Sequence, residues 1–278
     1  PDGRTLVFTS TKDGDLDLFV GGRIVPTRYP ESPASYIFEN DGKGSFKDIT
    51  MEVCPGLQKA GMVTSALWTD FDNDGWVDLA LVGEWMPVTF YKNQKGRSFT
   101  REFAKHIGWW NSISGGDFDE DGDIDYVLGN LGLNALYKAS AAEPVSIYAK
   151  DYDNNGSIDP IVTRFIQGKE YPTHYRETLT EQMVGFRKRL MRYSIYGKMT
   201  FQDLISQEEL SGADIHQTSW LSSSYLENLG NGAFNIRSLP VAAQLSPLFG
   251  TVITDINHDG KLDVLGIGND YSSETVTG

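Results

Sequence analysis

Aspartate recurs in this chain at a spacing that suits the binding of a hard cation. Four windows share a nine-residue pattern, with Asp or Asn at positions 1, 3 and 5, Gly at 6 and Asp at 9. They are Asp70-Phe-Asp72-Asn-Asp74-Gly-Trp76-Val-Asp78, Asp117-Phe-Asp119-Glu-Asp121-Gly-Asp123-Ile-Asp125, Asp151-Tyr-Asp153-Asn-Asn155-Gly-Ser157-Ile-Asp159 and Asp255-Ile-Asn257-His-Asp259-Gly-Lys261-Leu-Asp263. Three or four carboxylates within so few residues repel one another unless a cation neutralises them. Oxygen ligands in that number suit Ca²⁺, which accepts six to eight of them at roughly 2.3–2.6 Å; Mg²⁺ wants a stricter octahedron with retained water. The alternating positions 1, 3 and 5 turn toward one centre. Gly at 6 permits the sharp turn, position 7 (Trp76, Asp123, Ser157, Lys261) offers a backbone carbonyl, and the final Asp closes the shell. This predicts about four structural calcium ions. A degenerate fifth copy, Thr9-Ser-Thr11-Lys-Asp13-Gly-Asp-Leu-Asp17, leaves Asp13 and Asp17 as weak metal candidates.

The elements that position these loops are strands. An EF-hand would need Glu at position 12 between two helices, but that position holds Leu81, Leu128, Val162 and Gly266. Short apolar runs follow the loops, as in Asp78-Leu-Ala-Leu-Val-Gly83, Asp125-Tyr-Val-Leu-Gly129 and Asp263-Val-Leu-Gly-Ile-Gly268. A second element then carries an aromatic residue, Asn and a Gly turn: Tyr36 to Asn40, Phe90 to Asn93 and Tyr225 to Asn228. Asn and Gly there supply the positive φ of tight hairpins. Each unit reads as strand, loop, strand, strand, hairpin, strand. Such four-stranded units in tandem predict an all-β propeller. The chain, 1–278, reads as about four to five blades of a larger ring. The short interval from Asp125 to Asp159 predicts a third blade with a clipped outer strand, and the long one to Asp263 predicts a helical insertion over 168–219 within the fourth blade. In that insertion Leu179, Met183, Phe186, Leu190 and Tyr193 mark an amphipathic helix, and Thr200 with Asp203 caps a second.

The chain has 278 residues, 38 acidic against 24 basic, and a formal charge of −14. That balance argues against a nucleic-acid partner, since no broad positive face exists to meet phosphates. No apolar run approaches the roughly 18–20 residues of a membrane span. The first residues, Pro1-Asp2-Gly3, read like the middle of a domain, so the start of the chain carries no information on compartment. The lone Cys54 forms no internal disulfide. No nucleophile elbow, metalloprotease helix or phosphate loop occurs, and His106, His174, His216 and His258 form no recognisable dyad motif. Trp76, Trp85, Trp109 and Trp110 are open to two readings, stacking on a sugar face or packing between blades. Arg187, Lys188, Arg189 and Arg192 are either the solvated face of a helix or a docking patch for an acidic partner.

The loops followed by hydrophobic-Asp-hydrophobic strands resemble FG-GAP (VCBS) repeats of the integrin α-chain propeller type. Gly83-Glu-Trp-Met-Pro87, Gly108-Trp-Trp-Asn111, Gly129-Asn-Leu-Gly-Leu-Asn134 and Glu170-Tyr-Pro172 are similar to bacterial FG-GAP proteins that carry an ASPIC/UnbV domain, relatives of cartilage acidic protein. The resemblance implies a parent ring of about seven blades, calcium in the loops and an exported or cell-surface location. The copy at residues 9–17 departs from it, with Thr9 and Thr11 where the family has acids. The combined expectation is a calcium-stabilised, non-enzymatic, extracytoplasmic recognition or adhesion module for a glycan or an extracellular protein. The alternative is a polysaccharide-active lyase or hydrolase on the same scaffold.

Overall fold

The computed structural model of the chain describes residues 5–11 and 16–268. Short runs rich in β-branched and aromatic residues, bounded by Gly, Asn and Asp, form antiparallel sheets as their composition favours. The first sheet is a meander of β1 (Thr5–Thr11), β2 (Leu16–Gly22), β3 (Tyr36–Asn40) and β4 (Phe46–Asp48). The second has β5 (Met62–Thr69), β6 (Asp78–Asn93) and β7 (Phe99–Trp109). Where the pattern predicts two strands after the Asp70–Asp78 loop, β6 runs unbroken and pairs with β7 through three register shifts. The strand bends at Trp85, which has φ of 58°, and Pro87 sits at one of the shifts. An irregular ladder there tolerates a residue without an N–H.

The third sheet opens with β8 (Ser112–Gly116) and β9 (Asp125–Gly129), and another sheet then intervenes before it is completed. The intervening sheet comprises β10 (Val145–Lys150), β11 (Asp159–Ile166), β12 (Lys169–Pro172) and β13 (Asp214–Thr218), in spatial order β12-β11-β10-β13. Only afterwards do β14 (Ser224–Asn228) and β15 (Phe234–Ser238) complete the third sheet, with Tyr225 opposite Val127 and Leu226 opposite Tyr126. The clipped outer strand expected between Asp125 and Asp159 is therefore not found: the sheet begun by β8 and β9 is complete, and its two outer strands come only after the intervening sheet. The fourth strand of that intervening sheet, β13, arrives after the helices, and the whole sheet is nested inside the third. The hairpin at Tyr225–Asn228 serves the Asp117–Asp125 loop, which lies far from it in sequence. The last described strands, β16 (Gly250–Thr254) and β17 (Asp263–Ile267), form a two-stranded sheet with exposed apolar residues such as Leu265 and Ile267.

The helices lie between β12 and β13. The amphipathic helix expected through Tyr193 ends at Gln182 and is followed by a 3₁₀ turn over Val184–Arg187. Leu179, Met183, Phe186 and Leu190 are nevertheless buried with Ile161 of β11, whereas Tyr193 is exposed. The burial survives because 3₁₀ and α turns both return a side chain to one face every three to four residues. Thr200 and Asp203 form the expected reciprocal cap over Phe201–Leu204, and Ser206 with Glu209 repeats it over Gln207–Leu210.

The sheets pack face to face, and β6 is apolar on both sides. Leu79 and Leu81 meet Phe19 and Ile37 of the first sheet, while Ala80, Val82 and Phe90 meet Tyr126, Leu128 and Leu226 of the third. First strands of successive sheets lie side by side, β1 against β5, β5 against β8 and β8 against β16. The described residues close no ring of sheets. The fold is all-β with few, short helices.

Candidate metal-binding loops

The four Asp-rich loops share one backbone shape. Position 4 adopts a left-handed conformation in each, at Asn73 (φ 55°), Glu120 (63°), Asn154 (59°) and His258 (62°). Position 6 does so again at Gly75 (85°), Gly122 (92°), Gly156 (89°) and Gly260 (89°). Glycine at 6 carries no strain at that φ. The two reversals curl the chain so that N–H groups point inward. The position 1 carboxylate accepts from position 6, as in Gly75 N to Asp70 Oδ2 at 2.8 Å and Gly156 N to Asp151 Oδ2 at 2.7 Å. Position 5 accepts from the N–H of position 7, at 3.0 Å from Trp76 to Asp74 and 2.8 Å from Ser157 to Asn155. Position 9 accepts from position 2, at 3.2 Å from Phe71 to Asp78 and 2.9 Å from Tyr152 to Asp159.

Three of the loops gather carboxylate oxygens within 4.8 Å of one another: Asp70, Asp72 and Asp78; Asp117, Asp119 and Asp121; Asp151, Asp153 and Asp159. Buried oxygens within these groups have no hydrogen-bond partner, namely Asp72 Oδ1, Asp117 Oδ1, Asp153 Oδ1 and Asp159 Oδ1. Asp159 is only 1% exposed. A buried, unpartnered carboxylate oxygen is costly unless something positive meets it. Burial pushes Asp159 up to about 6, helped by Asp153 and Asp151, and pushes Asp78 up to about 7, with Asp72 and Asp74 adding to it. In both, the neighbouring N–H groups pull the other way without overcoming burial. The donor set is all oxygen and anionic, which fits a hard divalent ion such as Ca²⁺.

The structure separates residues that the pattern treats alike. The fourth loop assembles no comparable group from Asp255, Asp259 and Asp263, and Asn257 donates to Asp259 at 3.0 Å. Asp125 lies outside the second cluster; it accepts the Asn228 N–H at 2.8 Å and the Phe118 N–H, as Asp78 does from Asn93 and Phe71, and in addition the Tyr225 hydroxyl, for which Asp78 has no counterpart. Asp123 accepts from the Asn73 amide, linking the Asp70–Asp78 loop to the Asp117–Asp125 loop. Asp74 is drawn to Lys92, which lies at 2.9 Å and also bonds Asp72. Asp13 lies outside the described residues, while Asp17 is buried and accepts from the Asn40 N–H at 3.1 Å.

A recurring clamp explains the Asn of each hairpin. The Asn93 N–H donates to Asp78 at 2.6 Å, its amide donates to the Val77 carbonyl at 2.9 Å, and its Oδ1 accepts from Gly96 at 2.7 Å. Asn228 repeats this with Asp125, Ile124 and Gly230, and also donates to the Phe71 carbonyl at 2.7 Å. Asp78 and Asp125 therefore hold a strand as well as facing their loop. The strand after Asp159 lacks the Asn, and there Oδ1 stays unpartnered.

The tryptophans divide. Trp85 and Trp110 are buried and cannot present a ring to a sugar. Trp85 donates to the Tyr29 hydroxyl and lies 4.7 Å from Trp109 in the core, and Trp110 donates to the His106 carbonyl. Trp76 and Trp109 are half-buried, so Trp76 is less open than its loop position suggests. In the basic cluster Arg189 pairs with Glu209 at 2.7 Å and covers the Phe186 ring, and Arg187 bonds the Thr180 carbonyl. Lys188 and Arg192 remain exposed. Cys54 is buried and its thiol is pushed up to about 11 by burial, which keeps it in the unreactive form. Among the described residues no helix is long and apolar enough to cross a membrane.

A family model described as FG-GAP-like repeat matches residues 11–81 and again 70–128. The two matches include the first two acidic loops with their flanking strands. No curated protein matches the chain.

Proposed function

We propose that this chain, with FG-GAP-like repeats over residues 11–128, is part of a calcium-stabilised β-propeller that acts as a non-enzymatic recognition or adhesion module outside the cytoplasm. The propeller reading is supported by first strands that lie side by side in successive antiparallel sheets. The calcium reading rests on one observation: Asp159, almost wholly buried, keeps Oδ1 unpartnered beside Asp151 and Asp153. Asp70, Asp72, Asp78, Asp117, Asp119, Asp121, Asp151, Asp153 and Asp159 would supply the carboxylate ligands, with carbonyls of position 7 completing each shell. The ion would neutralise converging charges and fix the strand ends on either side of the loop. External calcium in the millimolar range keeps even weak sites of this kind filled. The partner is a glycan or an extracellular protein met by the surface at the loop end of the sheets.

Melting in excess calcium against excess chelator tests the structural role. At free calcium a hundredfold above Kd, one site contributes about 2.7 kcal/mol, so the midpoint should rise by several degrees. Asp159→Asn, which keeps the bond from Tyr152, should lose one ion and part of that rise. An unchanged midpoint in wild type would reject the calcium reading. Incubation with a glycan panel tests the rest, because new reducing ends or unsaturated products would make the protein an enzyme.

A further inference from the structure

The three acidic clusters are not equivalent, and one of the differences is a single basic side chain. Lys92, near the end of β6, places its ammonium on Asp72 and 2.9 Å from Asp74, at positions 3 and 5 of the Asp70–Asp78 loop. The pairing is mostly sheltered, with the Lys92 side chain 28% and that of Asp72 15% exposed. The corresponding residue in the other clamped hairpins, the one before the Asn, is acidic: Glu39 before Asn40 and Glu227 before Asn228. Beside the Asp117–Asp125 loop the equivalent position therefore adds negative charge instead of removing it. Lys150, next to Asp151 in the chain, donates to the carbonyls of Glu209 and Ser211 at 2.9 and 2.7 Å and pairs with no acid of the Asp151–Asp159 loop. Among the described residues, no Lys or Arg pairs with an acid of those two clusters.

We infer that Lys92 is a tethered cation that occupies the Asp70–Asp78 loop and makes it the last of the three clusters to take up calcium. This rests on the calcium reading of the loops. The ammonium bonds Asp72 through Oδ2 and also holds Asp74, across the Asp72 carboxylate from its unpartnered Oδ1, so a divalent ion arriving there meets that positive charge and must weaken or displace those two bonds. Each such bond is a charge-assisted one, worth enough to weaken binding about tenfold or more. Lys92 has somewhere to go. It lines a cavity of 580 Å³ with Asp72, Asp74, Gln94 and Glu102, and the Glu102 carboxylate there can receive the displaced ammonium. The loop thus exchanges one internal cation for one external one, whereas the other two clusters depend on the external ion alone.

Trp76 lies within this loop and no tryptophan lies within the other two, so tryptophan-sensitised Tb³⁺ luminescence reports on it selectively. On the full chain, sensitised emission should lag behind total ion uptake counted by native mass spectrometry. Lys92→Gln should bring the emission midpoint about tenfold or more lower, and Lys92→Arg, which keeps the charge, should retain the lag. Emission that tracks total uptake in wild type would overturn the inference whatever the variants do. So would equal midpoints for wild type and Lys92→Gln, with ion binding at the other loops leaving the calcium reading intact. Absence of any ion uptake by either protein would remove both readings together.

Discussion

Asp78, Asp125 and Asp159 occupy the same place in the repeating pattern and have different neighbours. The first two accept the N–H of Asn93 and Asn228, whereas Asp159 has no such partner and offers a bare oxygen. A carboxylate's role here depends on how many N–H groups reach it before an ion does. His174, half-buried, accepts the Val162 N–H on Nε2 at 3.1 Å and is held below its usual range by desolvation. The unfolded imidazole takes a proton below about pH 6.5 while the folded one resists. Stability from this group is therefore complete above that pH and declines as the pH falls through it. Urea midpoints at pH 8 and pH 5.5, in excess calcium so that loop carboxylates stay ionised, should fall more for wild type than for His174→Gln. Parallel behaviour of the two proteins would count against His174 as the source.

At the scale of elements, the clamp joins a loop to a strand of the same sheet, however far apart they lie in sequence. Asn228 on β14 serves Asp125 at the head of β9, with an entire sheet and its helices in between. Its amide also reaches the Phe71 carbonyl in the neighbouring loop. Asn228→Ala would leave buried carbonyls without a donor, at a cost of about 2–4 kcal/mol, and chemical denaturation should show that loss. Asn235, an exposed asparagine on β15 whose amide meets only Glu227, supplies the control, and Asn235→Ala should change stability by less than about 0.5 kcal/mol. Equal effects would mean that the clamp carries no special weight. The Asn-Gly turns were legible in the sequence because positive φ selects those residues. The clamp was not, since which Asp each Asn serves is settled by strand order.

For the molecule as a whole, a formal charge of −14 means that the compact state repels itself, and on the calcium reading each divalent ion bound would remove two of those charges. Screening by salt is a weaker substitute, with a Debye length of about 10 Å at 0.1 M. The chelated protein should therefore melt higher as sodium chloride rises, while the calcium-loaded protein should respond much less. Similar salt slopes with and without calcium would show that self-repulsion is not what the ions relieve. The packing of β6 between two sheets also belongs to this scale. Its sequence is apolar on both faces because the first and third sheets cover it.

The sequence alone determined the acidic donor set of the loops and the strand character of their flanks. Carboxylates at positions 1, 3, 5 and 9 with Gly at 6 leave few local conformations, and short apolar runs bounded by Gly and Asn mark strands wherever they lie. Thr200 and Asp203 likewise announced their cap, because reciprocal capping is a contact over three residues. Tertiary structure decided everything that depends on distant segments. It nested one sheet inside another and joined β14 to β9. It also buried Trp85 and Trp110 and set the Lys92 ammonium among the acids of a loop that ends fourteen residues earlier. Local conformational preferences are written in neighbouring residues, whereas pairing between strands is chosen by the burial and hydrogen bonding of the assembled sheets.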